Sequence, residues 1–131
     1  MDNLFFGSTL IQFIFVFLGG GLGSGLRFFL YKYGSSFDNW AFFGTFLANI
    51  ISCLVLGYLF HKLSTDAIAI NSYSLLAVGF CGGLSTFSTL ILEFYKYYAD
   101  GNTVSGIVYI ALSVIIGIIC LILGIKVGGN F

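Results

Sequence analysis

Four long uncharged stretches dominate the pattern of hydrophobic and polar positions along this chain. They cover residues 3–26, 39–60, 67–92 and 101–125. Each is long enough to cross about 30 Å of hydrocarbon as a helix, which needs roughly 20 residues. The pattern therefore predicts an all-α integral membrane protein with four transmembrane helices, spanning about residues 4–31, 40–61, 73–98 and 103–126.

The third stretch is interrupted by residues that disfavour a plain helix. Gly79–Thr89 contains three glycines and four Ser/Thr residues. Glycine lowers helix stability, and hydroxyl side chains offer the backbone other hydrogen bonds. Within a bilayer, an interrupted backbone is tolerated where it is buried in protein or lines a polar cavity. We therefore predict that the third transmembrane helix is broken here and that the break carries the functional site.

The composition excludes a soluble protein. Charged residues make up 8% of the 131 positions, hydrophobic residues make up 59%, and the mean hydropathy is +1.06. Soluble domains carry about 25% charged residues. We interpret residues 1–131 as a single transmembrane domain. The N-terminus has no basic region or cleavage site of a signal peptide, so we expect the first span to be retained.

Charge and cysteine usage narrow the function further. The formal net charge is zero and no basic run is present, so we expect no nucleic-acid partner. Cys53, Cys81 and Cys120 show no metal-ligand spacing and are interpreted as small buried hydrophobic residues. The sequence also contains no nucleophile–base pair, which argues against an enzyme.

The first span combines closely spaced glycines with the only arginine. Gly19 and Gly23, like Gly21 and Gly25, have the four-residue spacing that lets another helix approach closely. Arg27 follows this stretch. It either extends to the membrane interface or anchors the helix end while raising the positive potential near an anion entrance. Both interpretations are open at this point.

The second span contains an amide that needs a partner. Thr45 and Asn49 are four residues apart and share one helical face. A buried amide without a hydrogen bond is costly. Asn49 therefore either bonds a neighbouring helix or serves as a donor that faces a polar pathway.

Polar residues also align on the later helices. Thr86, Thr89 and Glu93 share one face beyond the glycines, although Glu93 could instead extend outward to the membrane surface. Ser105, Tyr109 and Ser113 recur at four-residue intervals in the fourth span. Three polar residues in register, in so apolar a chain, indicate a track that faces water or substrate.

The basic residues give almost no orientation signal. With four spans, Lys62 and Lys126 lie on one side, whereas Lys32, Lys96 and nearby Arg27 lie on the other. An excess of Lys/Arg in cytoplasmic loops normally sets orientation. We therefore expect insertion in both orientations, which would permit an antiparallel homodimer.

Three motifs together resemble those of a known family. Gly19–Arg27, the Gly44-Thr45-x-x-x-Asn49 motif and Gly79–Thr89 are similar, in order and spacing, to the motifs of the Fluc/CrcB fluoride channels. The resemblance implies a multi-pass protein of a bacterial-type plasma membrane that exports fluoride passively and lowers cytoplasmic fluoride. It also implies a dual-topology antiparallel homodimer in membrane lipid, with two fluoride pathways and a central structural Na⁺.

The resemblance assigns roles residue by residue. It implies that the Na⁺ is held by the backbone carbonyls of Gly82 and Ser85. The implied fluoride pathway contains Asn49, Phe87, Thr45, Tyr109, Ser113 and Glu93. From their positions in the chain, we expect Thr86 and Thr89 to face the same pathway and Arg27 to be a structural helix anchor. One position departs from the family pattern, because Leu90 occurs where a second pore Phe is usual.

The residue types are suited to a small, strongly hydrated anion. Amide and hydroxyl donors can replace its water, and the positive edge of an aromatic ring can face it without a formal charge. An alternative is a small dual-topology multidrug or cation transporter. That mechanism needs a carboxylate within the first span, and no acidic residue follows Asp2 there. A structural subunit without transport would leave Asn49 and the helix break without a role.

Overall fold

The computed structural model describes the backbone of residues 2–34 and 41–130, and the side chains of residues 8–34 and 42–130. The described residues are helical almost throughout. The elements are α1 (Asp2–Gly34), α2 (Ala41–Ser64), α3 (Ile70–Tyr73), a π-helical segment (Ser74–Cys81), α4 (Gly82–Leu84), α5 (Phe87–Ala99) and α6 (Thr103–Gly129).

Four helical stretches are long and apolar enough to cross a membrane. Within the described residues these are Ser8–Gly34, Phe42–Ser64, Ile70–Ala99 and Thr103–Gly129. The prediction of an all-helical, multi-pass membrane protein is confirmed at this level. The predicted start of the second span, residue 40, lies outside the described residues.

Helices α2 and α6 pack closely because each presents glycine to the backbone of the other. A Cβ added at Gly57 would overlap the Leu121 carbonyl oxygen, and one added at Gly124 would overlap the Leu54 carbonyl oxygen. Backbones can approach this closely only where side chains are absent. This close packing of α2 against α6 fixes the positions of the polar residues on α2.

Helix α1 packs in the same way against the third stretch. Added Cβ atoms at Gly19 and Gly23 would overlap the carbonyl oxygens of Leu75 and Phe80. The predicted close packing is therefore observed for this glycine pair. A Cβ at Gly21 or Gly25 would meet no heavy atom within 4 Å among the described residues, so the second pair does not pack within the chain.

The third stretch changes conformation three times after α3 before it becomes the regular helix α5. The π-helical segment passes into the single turn α4, and the backbone then extends at Ser85 (φ −72°, ψ 155°) and Thr86 (φ −153°, ψ 120°). Helix α5 begins at Phe87, with the Thr86 hydroxyl accepting a hydrogen bond from the Thr89 amide. Such N-capping satisfies one of the free amides at a helix start.

The two faces of α1 predict different responses to a single methyl group. We expect Gly23→Ala to destabilise the fold by about 1–3 kcal/mol, because the added Cβ must displace the Phe80 backbone. Gly25→Ala gains the same helix propensity and meets no described atom, so it serves as the matched control. Thermal unfolding of both variants in detergent measures the difference. Equal unfolding temperatures would contradict the proposed packing of α1.

Candidate functional site

The extended residues between α4 and α5 are held by an amide side chain from α2. The Thr86 N–H donates to Asn49 Oδ1 at 2.7 Å, and Asn49 Nδ2 donates to the Thr86 carbonyl at 3.4 Å. Asn49 thus forms the interhelical hydrogen bonds that its position in an apolar span requires. The second N–H of Asn49 Nδ2 takes no part in this pairing.

This pairing changes which backbone carbonyls keep a helical partner. In an uninterrupted α-helix, the Thr86 amide would bond the Gly82 carbonyl and the Thr89 amide would bond the Ser85 carbonyl. Here the Thr86 amide donates to Asn49, and the Thr89 amide donates to the Thr86 hydroxyl at 3.3 Å. The carbonyls of Gly82 and Ser85 are therefore among the acceptors that lose their helical donors at the interruption, and the donors of these two bond side chains instead.

Arg27 approaches the same backbone from α1. Its Nη1 lies 3.5 Å from the Ser85 carbonyl oxygen, a long hydrogen bond. The guanidinium therefore points toward the break within the chain and is half-buried. It borders a groove of about 330 Å³, which we call the arginine groove. The groove is lined by Ser24, Arg27, Phe28, Tyr31, Thr45, Thr86, Thr89 and Leu92.

A second open groove of about 310 Å³, the phenylalanine groove, also has Thr86 in its lining. It is lined by Asn49, Cys53, Ser85, Thr86, Phe87, Leu90, Ser113, Val114, Gly117, Ile118 and Leu121. Leu90 is 5% exposed and forms part of the wall, whereas Phe87 is 74% exposed. The side chain of Phe87 is therefore largely uncovered by the described residues.

Glu93 is buried at the centre of a three-residue hydrogen-bond cluster. Thr45 Oγ1 donates to Glu93 Oε1 and the Tyr109 hydroxyl donates to Glu93 Oε2, each at 2.7 Å. Glu93 is 2% exposed. The interpretation in which its carboxylate extends outward to the membrane surface is therefore wrong. The cluster connects α2, α5 and α6. Burial of this acidic side chain is tolerated because both of its oxygens accept hydrogen bonds.

The predicted site residues fall into three neighbouring groups. Asn49, Phe87 and Ser113 share the phenylalanine groove, Arg27 and Thr89 share the arginine groove, and Thr86 lines both. Thr45, Glu93 and Tyr109 form the buried cluster, and Thr45 also borders the arginine groove.

The predicted polar row on α6 is only partly directed inward. Ser113 is 8% exposed, lines the phenylalanine groove and donates to the Tyr109 carbonyl at 2.8 Å, one turn earlier in its own helix. Ser105 is exposed. Four-residue spacing therefore identified the helical face of Tyr109 and Ser113, but did not determine how far along α6 that face stays covered.

Sequence reasoning missed Ser52. This residue is 3% exposed, and its Oγ donates to the Cys81 carbonyl at 2.6 Å. The signal that could have identified it is its spacing, because it follows Asn49 by three residues and lies on the same helical face. Among the described residues, no group of three or more His, Cys, Asp or Glu side chains is arranged to hold a metal ion.

Comparison with known proteins adds independent support for the family. The model of the family described as "CrcB-like protein, Camphor Resistance (CrcB)" matches residues 14–125. The chain belongs to this family. It is 37% identical over 116 residues to the Fluoride-specific ion channel FluC of Phocaeicola vulgatus, covering 86% of this chain and 93% of the relative.

Two further CrcB-like relatives cover similar lengths. The Fluoride-specific ion channel FluC 2 of Staphylococcus saprophyticus is 37% identical over 125 residues, or 92% of this chain and 98% of its own. The FluC of Ignicoccus hospitalis is 33% identical over 111 residues, or 85% and 89%. The similarity thus includes all four helical stretches. These CrcB-like relatives are named as ion channels rather than enzymes.

The buried cluster predicts a difference between two substitutions of Glu93. Glu93→Leu removes the acceptor of the Thr45 hydroxyl and leaves the Tyr109 hydroxyl with the longer contact to the Phe42 carbonyl at 3.5 Å, and an unsatisfied buried group costs about 1–3 kcal/mol. Glu93→Gln keeps the size and one oxygen acceptor, so we expect a smaller loss of stability. Thermal unfolding in detergent compares the two variants. An equal loss in both would mean that the hydroxyls do not depend on Glu93.

Proposed function

We propose that this protein is a fluoride-selective channel that lets fluoride leave the cell passively. The relatives' names and the family membership support this function. The structural observation that carries it is the helix interruption flanked by two grooves that share Thr86. The arginine groove contains a cation and hydroxyls, and the phenylalanine groove contains an amide, three hydroxyl residues and an aromatic ring.

The proposed pathway runs from the arginine groove, past Thr86, into the phenylalanine groove. In the arginine groove, Arg27 attracts the anion and Thr89 donates a hydrogen bond to it. In the phenylalanine groove, the second N–H of Asn49 Nδ2 is the donor. These donors replace the water that a small anion must lose. Fixed positive charge is confined to Arg27 at the first groove, so binding stays weak enough for the ion to leave.

The predicted pathway roles of Thr45, Tyr109 and Glu93 depend on the buried cluster. Both hydroxyls donate to Glu93 within the chain. They can therefore reach a passing anion only when the Glu93 side chain moves or releases one of them. We propose that the cluster forms a wall of the pathway and supplies hydroxyl donors in that way.

A second copy of the chain completes the proposed channel. Phe87 is largely uncovered by the described residues, a Cβ at Gly82 would meet no described heavy atom within 4 Å, and the phenylalanine groove is open on one side. The balanced Lys/Arg distribution supports an antiparallel arrangement. The protein would then be a dual-topology homodimer in membrane lipid, with a discontinuous third span and one fluoride pathway on each side.

We further propose that the carbonyls of Gly82 and Ser85 hold a structural Na⁺ between the two copies. Their helical donors are diverted to Asn49 and Thr86, and the Ser85 carbonyl also accepts the long bond from Arg27. A carbonyl oxygen has two lone pairs, so both remain hard oxygen acceptors of the kind that such a cation binds. When bound, the ion supplies positive potential beside the pathways and satisfies backbone acceptors within the membrane.

Purified protein in liposomes tests the channel function. We expect passive fluoride efflux with strong exclusion of chloride, because the pathway is lined by donors suited to a small anion. A fluoride electrode and a chloride electrode follow parallel efflux experiments on the same preparation. Equal fluxes of the two anions, or no fluoride flux, would refute the proposal.

Asn49→Asp tests the pathway itself. The carboxylate keeps the acceptor for the Thr86 amide but adds negative charge to the phenylalanine groove. We expect fluoride flux to fall by roughly tenfold or more, since a repulsion of about 1.4 kcal/mol is already sufficient. Asn71→Asp adds the same charge on α3, outside both grooves, and is the control. Unchanged flux in folded Asn49→Asp protein would remove Asn49 from the pathway.

A further inference from the structure

The carbonyl of Cys81 occupies the junction between the π-helical segment and α4. It accepts two hydrogen bonds, one from Ser52 Oγ at 2.6 Å and one from the Ser85 N–H at 2.9 Å. A carbonyl oxygen has two lone pairs and can satisfy both donors. Cys81 is 2% exposed and Ser52 is 3% exposed. Water is therefore poorly placed to replace the serine hydroxyl.

The four residues that follow Cys81 form the turn that carries the proposed cation ligands. The Gly82–Ser85 turn begins directly after Cys81, and its last amide returns to the Cys81 carbonyl. Fixing the direction of the Cys81 carbonyl therefore fixes the position of the Ser85 backbone. The Ser52 hydroxyl is the side-chain group that bonds this carbonyl from outside the third stretch.

We propose that Ser52 is a positioning residue for the backbone at the helix interruption, and that it sets the orientation of the Gly82 and Ser85 carbonyls. The cation part of this proposal rests on the proposed function. Ser52 acts through the Cys81 carbonyl and does not itself contact an ion.

The position of Ser52 on α2 explains why its effect is local. Asn49 lies one turn earlier on the same face and bonds Thr86, at the far end of the interruption. Residues 82–86 are thus held at both ends by two side chains of a single helix. That helix is fixed in turn by its close packing against α6 through Gly57 and Gly124.

Ser74 provides a matched control within the same stretch. It is also a buried serine, 6% exposed, and its hydroxyl donates to the Ile70 carbonyl at 2.9 Å. It lies at the beginning of the π-helical segment, whereas Ser52 bonds the end of that segment. Loss of either hydroxyl removes one hydrogen bond to a helix carbonyl, which is buried for Ser52 and part-buried for Ser74. Only the loss of Ser52 should change the backbone around Ser85.

Hydrogen exchange of the full-length protein in detergent tests the proposal without relying on fluoride or sodium. We expect Ser52→Ala to speed amide exchange at residues 85–87 by roughly fivefold, as loss of a bond worth about 1 kcal/mol would produce. Ser74→Ala should leave those amides unchanged. Ser52→Cys nearly keeps the side-chain volume but donates weakly, so it should match Ser52→Ala and also replaces that variant if alanine prevents folding.

Exchange at residues 85–87 within about twofold of wild type in both Ser52 variants would overturn the proposal. An equal increase in Ser74→Ala would also overturn it, because Ser52 would then contribute only general stability. Amides of α6 serve as an internal reference for global unfolding.

A second measurement separates this inference from the proposed cation site. Thermal unfolding is followed while NaCl replaces choline chloride at constant ionic strength. We expect Ser52→Ala to require several-fold more Na⁺ than wild type or Ser74→Ala for the same rise in unfolding temperature. If Na⁺ does not stabilise wild-type protein, the proposed Na⁺ site fails, and the exchange measurement still decides the role of Ser52. Equal Na⁺ requirements in Ser52→Ala and wild type would refute the link between Ser52 and the cation ligands.

Discussion

The backbone of an interrupted helix in a bilayer must find hydrogen-bond partners inside the protein, and the rest of this structure depends on that constraint. Two side chains of α2 supply some of these hydrogen-bond partners. Asn49 pairs with the amide and carbonyl of Thr86, and Ser52 bonds the Cys81 carbonyl. The pairing with Asn49 diverts the Thr86 amide away from Gly82, and the Thr86 hydroxyl diverts the Thr89 amide away from Ser85. Satisfying one part of the backbone therefore creates acceptors in another part.

Close helix packing makes these few polar bonds effective. Glycines let α1 approach the π-helical segment and let α2 approach α6, so the backbones that flank the interruption have little freedom to move. The buried cluster around Glu93 adds a polar connection between α2, α5 and α6. The interruption is thus a local irregularity in a rigid frame, which suits a site that must present donors at fixed positions.

The two grooves beside Thr86 differ in chemistry, which gives the proposed pathway a direction within each subunit. The arginine groove contains a cation, hydroxyl groups and two aromatic rings, whereas the phenylalanine groove contains no charged side chain but an amide, hydroxyl groups, an aromatic ring and the aliphatic wall of Leu90. An anion would first meet charge and then a drier environment with neutral donors. Leu90 is buried in this wall, so the departure from the family pattern alters the lining of the groove itself.

The sequence by itself determined the helical class, the four membrane-spanning stretches, the family and the neighbourhood of the site, because hydropathy, glycine spacing and the motif at Gly79–Thr89 are local properties of the chain. Only the tertiary structure decided which partners the polar residues choose. Spacing placed Glu93 on a polar face but could not distinguish an outward carboxylate from one bound by Thr45 and Tyr109. It likewise placed Ser52 on the helical face of Asn49 but could not show that its hydroxyl bonds the Cys81 carbonyl. Hydrogen-bond partners from separate helices become defined only when packing fixes their distances.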